Sequence, residues 1–286
     1  MMDQNKVDKS PLNFNKEFKQ IHIGSNTNTP LTYRYGYMLD SIPDDIMHEL
    51  SNIIREIEES NFNKEKFNDY LAGEIEKEFL VEFNSKINHY LQETFTFYEA
   101  QSTIVKNEMF SFQDSIFREF LDAFDEYMTS TNINNALKFS PHYLPEITVQ
   151  KPWVNFQRKG EYNPMHNHSG LLSYVIWYKI PFYMEDEENL SGFRSDSRTS
   201  NGKFNFFSSY SDSRGPGILA HFPLSVDKRY EGTICVFPSS LNHSVNPFYS
   251  SDEYRITFSG NAFIKDHATS RDKFIEHIKK FNKVKF

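Results

Sequence analysis

The feature that most constrains the fold is a change of sequence pattern after Pro141. Beyond it, short apolar or alternating runs are broken by Pro, Gly and Ser, a pattern typical of β-strands joined by turns. The polar, Ser-rich stretches 189–202 and 208–217 are predicted to be loops. We therefore expect the C-terminal half to be a β-structure. Strands are predicted at about 146–157, 171–180, 203–210, 217–222, 232–238 and 254–264.

The N-terminal half shows helical periodicity instead. A first helix is predicted from Ser41, with Pro43 in its first turn and aliphatic side chains along one face. Helices followed by strands favour an α+β fold in which the helices pack on one face of a β-sandwich. Further helices are predicted at about 64–94, 114–129 and 270–282. The predicted division is 1–30 as a flexible N-terminal lead-in, 31–140 as a mainly helical part, 141–265 as the β core and 266–286 as a C-terminal helix.

Composition limits the chemistry that the chain can carry. The single cysteine, Cys235, excludes a disulfide framework or a thiolate zinc site within the chain, so a metal must be held by histidine and carboxylate side chains. The net charge of -8 argues against nucleic acid as the primary ligand. Because the sequence contains neither a signal-like N-terminus nor a long apolar run, we expect a cytoplasmic protein without a membrane span.

The densest chemistry lies in the segment 163–170, directly before an apolar strand. His166 and His168 are two residues apart, and in an extended chain they point to the same side, so both imidazoles can reach one metal ion. The pair alone is equally compatible with a polar loop whose imidazoles only form hydrogen bonds.

A third histidine follows a buried strand and a Pro-Ser turn. His243 would complete one face of an octahedral site and leave the other positions open for a bidentate co-substrate and O2. This arrangement is compatible with an oxygenase.

Arg255 and Thr257 alternate with apolar residues along the last predicted strand and are expected to face the same way. A buried guanidinium needs a partner, and the far carboxylate of a dicarboxylic acid would serve. The threonine hydroxyl would add a hydrogen bond to the same group. A salt bridge from Arg255 to an acidic residue of the protein is the alternative explanation.

In this order, the His-x-His pair, a long insertion, the segment 232–245 and Arg255-x-Thr257 resemble the Fe(II)- and 2-oxoglutarate-dependent oxygenases. The resemblance is strongest to a bacteriophage branch of prolyl-hydroxylase-like proteins and covers residues 151–262, while residues 71–75 resemble an upstream helix motif of that branch. It implies a double-stranded β-helix (jelly-roll, cupin-like) core with helices packed on one face. It also implies an oxidoreductase that uses Fe(II), 2-oxoglutarate and O2.

The resemblance also implies residue roles. His166 and His243 would be iron ligands, and Arg255 would bind the C5 carboxylate of 2-oxoglutarate with help from Thr257. Two residues on neighbouring strands would be secondary contacts for the co-substrate or the substrate, namely Asn155 and Tyr178.

The chain departs from the family at His168, which stands where the family usually has Asp or Glu. Three histidines would keep the full +2 charge of the metal, which dianionic 2-oxoglutarate would neutralise. In another register, His168 is the first ligand and Gly170 leaves an open position, as in the halogenating branch. A third alternative is a jelly roll that has lost iron or catalysis.

Two classes of function therefore compete. The leading hypothesis is a 2-oxoglutarate-dependent dioxygenase, a hydroxylase of unknown substrate. Its competitor is a non-catalytic jelly-roll structural or interaction protein, of viral origin, with a structural metal or none. A cupin-type metalloenzyme without a keto-acid cofactor is a further alternative. Three imidazoles around one point, with Arg255 on the same cavity wall, would favour the oxygenase.

Three other features have plainer interpretations. The acidic run at 185–188 is expected to be the solvated face of a loop. Trp153 and Trp177 are expected in the core, and His221 is the one scattered histidine that could line the same cavity.

Overall fold

The computed structural model describes residues 8–21, 35–64, 66, 71, 73–107, 147–190, 200–210 and 218–264. The strands in these ranges are β1 (Glu17–Ile21), β2 (Tyr35–Ser41), β3 (Glu78–Leu80), β4 (Ile147–Val149), β5 (Trp153–Gln157), β6 (Asn163–His166), β7 (Leu172–Lys179), β8 (Phe204–Tyr210), β9 (Ile218–Leu224), β10 (Thr233–Pro238), β11 (Asn242–Val245) and β12 (Arg255–Ile264). The helices are α1 (Asp44–Glu59), α2 (Ser85–Asn107) and α3 (Met184–Leu190).

The strands form two antiparallel sheets. The larger sheet has the order β1-β2-β10-β7-β12-β5-β3, with β4 also paired to β12. The smaller sheet has the order β6-β11-β8-β9. Antiparallel strands in two facing sheets agree with the expected jelly-roll-like core.

The two faces of the larger sheet bury different partners. Along β7, Tyr174 and Ile176 pack into the cluster that also holds the buried faces of the helices, whereas Val175 and Trp177 pack toward residues of the smaller sheet. This alternation follows from the two-residue repeat of a strand. The molecule therefore has three layers, with helices on one face of a β-sandwich.

The helix layer is held by apolar stripes. On α1 the buried residues recur every three or four positions, as a core-facing helix requires. Asp44 and Asp45 lie in its first turn, where the helix dipole favours negative charge. The buried residues of α1 are Ile46, Leu50, Ile54 and Ile57, and those on α2 include Ile87, Leu91 and Phe95.

The helix predicted at 64–94 is wrong over its first part. Residues 78–80 form β3, which pairs with β5, and α2 begins only at Ser85. Asn84 caps that helix, because its side-chain oxygen accepts from the backbone N–H of Ile87 at 3.0 Å. Apolar residues four apart also fit a strand, and Phe79, Val81 and Phe83 are all buried.

The expectation of a flexible lead-in over 1–30 is wrong for residues 17–21. These residues form β1 at the edge of the larger sheet, and Phe14 before them packs against buried residues between the two sheets. The part from 31 to 140, predicted to be mainly helical, also contributes β2 and β3 to the same sheet. The helices predicted at 114–129 and 270–282 lie outside the described residues.

Two short strands, β6 and β11, were not predicted, although the other β-strands of the C-terminal half lie close to their predicted positions. Both carry candidate metal ligands, and both are rich in polar residues, which hides the alternation of a strand. No helix in the described part of the chain is long and apolar enough to cross a membrane.

The acidic run 185–188 is not a loop, and only part of it is solvated: Asp186 and Glu188 are exposed, but Glu187 is not. It lies in α3, and Glu187 is fully buried. The backbone N–H of Tyr249 donates to the Glu187 carboxylate at 3.0 Å, and that of Ser250 donates at 2.7 Å. Glu187 therefore holds the segment that follows β11, near Arg255.

We predict that Glu187→Gln destabilises the protein by about 2 kcal/mol, because the amide replaces one charged acceptor with a donor that faces backbone N–H groups. Urea unfolding measures the change in the free energy of unfolding. Asp186→Asn removes the same charge from an exposed position of the same helix and should cost no more than about 1 kcal/mol. Equal stability of the two variants would contradict the structural role of Glu187.

Candidate metal centre

The pairing of β6 with β11 brings the three histidines together. His166 lies directly opposite His243 in this register, and His168 follows β6 by two residues. The backbone N–H of His168 donates to the carbonyl of Ser239 at 2.9 Å, which fixes the chain beside β11. One nitrogen from each ring can be chosen so that all three atoms lie within 4.8 Å of one another, close enough for one metal ion.

Hydrogen bonds orient two of the rings. Nδ1 of His166 lies 2.7 Å from the carbonyl of Pro164, and Nδ1 of His243 lies 3.1 Å from that of Leu241. Because a carbonyl only accepts, each Nδ1 carries the proton and leaves Nε2 free as a ligand atom. Phe204 stacks on His243 with the ring centroids 5.6 Å apart and limits its rotation.

Burial keeps the imidazoles neutral. Loss of water around the rings lowers the pKa of His166, brings that of His168 to about 4 and holds that of His243 well below its usual value. A neutral imidazole is the form that binds a metal ion. The cluster is therefore ready to bind a metal near neutral pH.

Arg255 is buried on the wall of the same cavity. Its guanidinium donates to the side chain of Gln157 at 2.7 and 3.0 Å, and to the carbonyls of Gly202 and Asn246 at 2.9 Å each. Burial lowers its pKa to about 9, while the charge of Glu187 acts in the opposite direction. No carboxylate of the described residues forms an ion pair with Arg255. The salt bridge considered as the alternative explanation is thus not found there.

Of the secondary contacts expected from the sequence, the structure places one in the cavity and one outside it. Asn155 lines the cavity, and its Nδ2 donates to the Thr257 hydroxyl at 3.2 Å. Tyr178 instead faces the helices, where its hydroxyl donates to Ser51 at 3.0 Å and its ring packs edge-on against Phe258. The expectation for Tyr178 was wrong because adjacent strand residues face opposite sides.

The space in and directly in front of the cavity amounts to about 690 Å³, part of which is open solvent, and most of the cavity wall is apolar or aromatic. Trp153 and Trp177, expected in the core, contribute to this wall. Leu71 and Ile75 close one side, from the segment that the sequence indicated as a helix but that contains only bends where it is described. Sequence reasoning also missed Gln157, Phe204 and Phe237 as wall residues, because isolated Gln and Phe positions carry no spacing signal.

The structure also shows where His221 and Gly170 lie, the two residues that figured in alternative interpretations of the sequence. His221 stacks on Phe207, its ring centroid 5.1 Å from that of the phenylalanine, and is not part of the cavity wall. Gly170 has a φ of 109°, and a Cβ there would lie 2.8 Å from the backbone oxygen of Ala262. Gly170 therefore packs closely against β12, where only a glycine fits.

Comparisons with known proteins give one family match and two solved structures of low similarity. Residues 151–261 match a family model described as "Putative 2OG-Fe(II) oxygenase". Among solved structures, a prolyl-4-hydroxylase from Pseudomonas putida is 11% identical, with 81% of this chain and 94% of that chain covered and a TM-score of 0.40. An oxidoreductase of the 2OG-Fe(II) oxygenase family from Burkholderia pseudomallei is 14% identical, with 46% and 51% covered and a TM-score of 0.27. No functionally curated protein matches the chain.

We predict that the metal-free protein loses stability as the pH falls from about 6.5 to about 4, since the folded-state pKa values of the cluster lie below the unfolded value. In that window the unfolded chain binds more protons, which favours unfolding. Urea midpoints at several pH values measure the slope. His168→Asn should flatten it, whereas the exposed His89→Asn controls for loss of a histidine as such. An unchanged slope in His168→Asn would contradict the buried neutral ring.

Proposed function

We propose that the protein is an Fe(II)- and 2-oxoglutarate-dependent dioxygenase that hydroxylates a substrate still to be identified, because residues 151–261 match the model of the 2OG-Fe(II) oxygenase family. One observation carries the proposal beyond the family match. A buried guanidinium without a carboxylate partner among the described residues lies on the wall of the cavity that holds three neutral imidazoles. The acceptors that hold this guanidinium, Gln157 and the carbonyls of Gly202 and Asn246, are all neutral, so its charge still lacks the carboxylate that a bound keto acid would supply.

In this proposal His166, His168 and His243 hold the iron. One ring nitrogen of each histidine lies within reach of a common ion, and Fe(II) accepts imidazole ligands. Because three neutral ligands leave the ion its full charge, the site favours a dianionic co-substrate over a neutral one. One face of the coordination sphere then remains for ligands from solution.

Arg255 and Thr257 bind the far carboxylate of 2-oxoglutarate. A guanidinium has five N–H donors, and four are used by Gln157, Gly202 and Asn246, which leaves one on Nη1. The Thr257 hydroxyl accepts from Asn155 and so keeps its own proton free to donate. These two donors match the two acceptor oxygens of a carboxylate. Asn155 acts here as a positioning residue for Thr257.

When bound, iron and 2-oxoglutarate supply the oxidation of a substrate C–H bond by O2, with release of succinate and CO2. The chain contributes binding, orientation and exclusion of water. Trp153, Trp177 and Phe204 form an apolar wall around the imidazoles, and the hydrogen-bonded Arg255 fixes the direction of the keto acid.

Two finer points belong to the same proposal. We infer that the protein acts in the cytoplasm, which is the host cytoplasm if the gene is phage-borne. The support is the resemblance of its motifs to the phage branch, together with a single buried cysteine that needs no oxidising compartment. The net charge of -8 supports a substrate other than nucleic acid.

We predict that His243→Ala weakens binding of Fe(II), or of Mn(II) as its air-stable substitute, by more than about 100-fold, because it removes a ligand itself rather than an outer partner. His168→Asp should still bind, since a carboxylate can serve as the third ligand. Equilibrium dialysis with metal analysis measures both. His221→Ala, outside the cavity, should bind as the unmodified protein does, and equal binding by His243→Ala would refute the three-histidine site.

We predict that anaerobic addition of Fe(II) and then 2-oxoglutarate produces a weak visible charge-transfer band that needs both components. Arg255→Ala should weaken binding of 2-oxoglutarate by about 100-fold while it retains the metal. Arg158→Ala removes an exposed guanidinium outside the cavity wall and should leave the titration unchanged. Tight metal binding without any band would favour a structural metal, and no metal binding would leave only the fold.

A further inference from the structure

A row of polar side chains crosses the larger sheet beside the candidate iron site. The register pairs Glu78 with Asn155, Asn155 with Thr257, and Thr257 with Trp177. Residues directly opposite each other in an antiparallel pair share a face, so Glu78 lies on the face whose other three members line the cavity. Its neighbour Phe79 packs on the opposite face, in the cluster with the helices.

Two acceptor atoms in this row have no donor in the described part of the chain. They are Oε1 of Glu78 and Oδ1 of Asn155, and their residues are only 2% and 6% exposed. A buried polar atom without a partner destabilises the fold, so two such atoms on directly opposite residues beside a cavity indicate a ligand that supplies donors. The Asn155 amide nitrogen is engaged by Thr257, which leaves the oxygen toward the ligand.

The charges around the cavity indicate whether the hydrogen-bond donor of the ligand is neutral or positively charged. The described wall residues include no carboxylate, and Arg255 is their one permanent charge. Glu78, directly opposite Asn155, is an acidic group that the sheet places next to this wall. Burial, with a smaller contribution from nearby Glu161, raises the pKa of Glu78 to about 8, so ionisation near neutral pH requires a compensating cation.

We propose that Glu78 and Asn155 form a subsite for a primary ammonium group on the substrate. That this ligand is the oxidised substrate rests on the proposed function, but the subsite itself needs no iron to bind an ammonium group. An ammonium has three donors and no acceptor, which matches two unpartnered acceptors, and its charge compensates the carboxylate. The co-substrate does not fit here, because the carboxylates of 2-oxoglutarate would meet acceptor oxygens.

The test uses the metal-free protein and n-butylammonium as the probe, with 1-butanol as its neutral counterpart. Ligand-observed NMR titration measures both affinities. We expect n-butylammonium to bind the unmodified protein and to bind Glu78→Gln at least tenfold more weakly. Glu82→Gln, an exposed position just after β3, removes the same charge and should bind as the unmodified protein does.

Three outcomes would overturn the subsite: equal affinity of Glu78→Gln, butanol binding as tightly as the ammonium, or no binding of the ammonium at all. The comparison of the two probes on the unmodified protein stays decisive even if Glu78→Gln does not fold. A loss of 2-oxoglutarate affinity in Glu78→Gln, without ammonium binding to either protein, would instead make Glu78 a positioning residue for Asn155.

The same titration answers two further questions. It tells a free amine from a lysine side chain as the ligand, and it tests the subsite independently of the dioxygenase. Competition by putrescine but not by an acetyl-Gly-Lys-Gly-amide peptide would assign a free small amine, and the reverse would assign a lysine side chain. Ammonium binding without an iron and 2-oxoglutarate band would refute the dioxygenase and keep the subsite. An iron and 2-oxoglutarate band without ammonium binding would refute the subsite and keep the dioxygenase.

Discussion

The burial of one guanidinium holds the base of this β-sandwich together. Arg255 starts β12 in the larger sheet, yet two of its acceptors are backbone carbonyls at 202 and 246, next to strands of the smaller sheet. The third acceptor, Gln157, lies on the adjacent strand β5. Glu187 anchors the segment after Asn246 and adds a favourable charge. The hydrogen bonds that stabilise this buried charge thus tie the larger sheet to the segments that flank β8 and β11.

The position of the imidazoles depends on a second constraint, the register of β6 on β11. His166 faces His243 across this pair, and a slip by one residue would turn one ring away from the cavity. The smaller sheet is short and polar here, so apolar burial alone would specify the register weakly. The hydrogen bond from His168 to Ser239 and the stacking of Phe204 on His243 help to fix this register.

The sequence predicted the fold class and the convergence of the histidines because both depend on periodicity and spacing. Buried strands such as β7 and β10 carry uninterrupted apolar runs, and the His-x-His spacing places two rings on one side of the chain. The strands at 17–21 and 78–80 escaped prediction because they are short and gain their order by pairing with β2 and β5. Tertiary pairing of this kind leaves almost no local signal.

The parts of the site that were missed have the same physical origin. Tyr178 was assigned to the wrong face because the start of an eight-residue strand fixes which of its residues point inward, and no pattern marks that start. Glu187 was taken for a solvated charge because its partners are backbone N–H groups more than sixty residues away. Glu78 was hidden in a segment predicted as helix, where its face could not be inferred.

The charges of the cavity explain why its ligands would cooperate. With three neutral imidazoles and one guanidinium on the wall, a bound divalent metal ion makes the interior strongly positive, and only an anion can offset this. A dianion at Arg255 returns most of that charge to neutral. An ammonium group could then approach without repulsion only where a carboxylate compensates it, and Glu78 is the acidic side chain that the register places beside the wall. These charges thus favour an order of binding in which the metal ion binds first, the keto acid second and an amine-bearing substrate last.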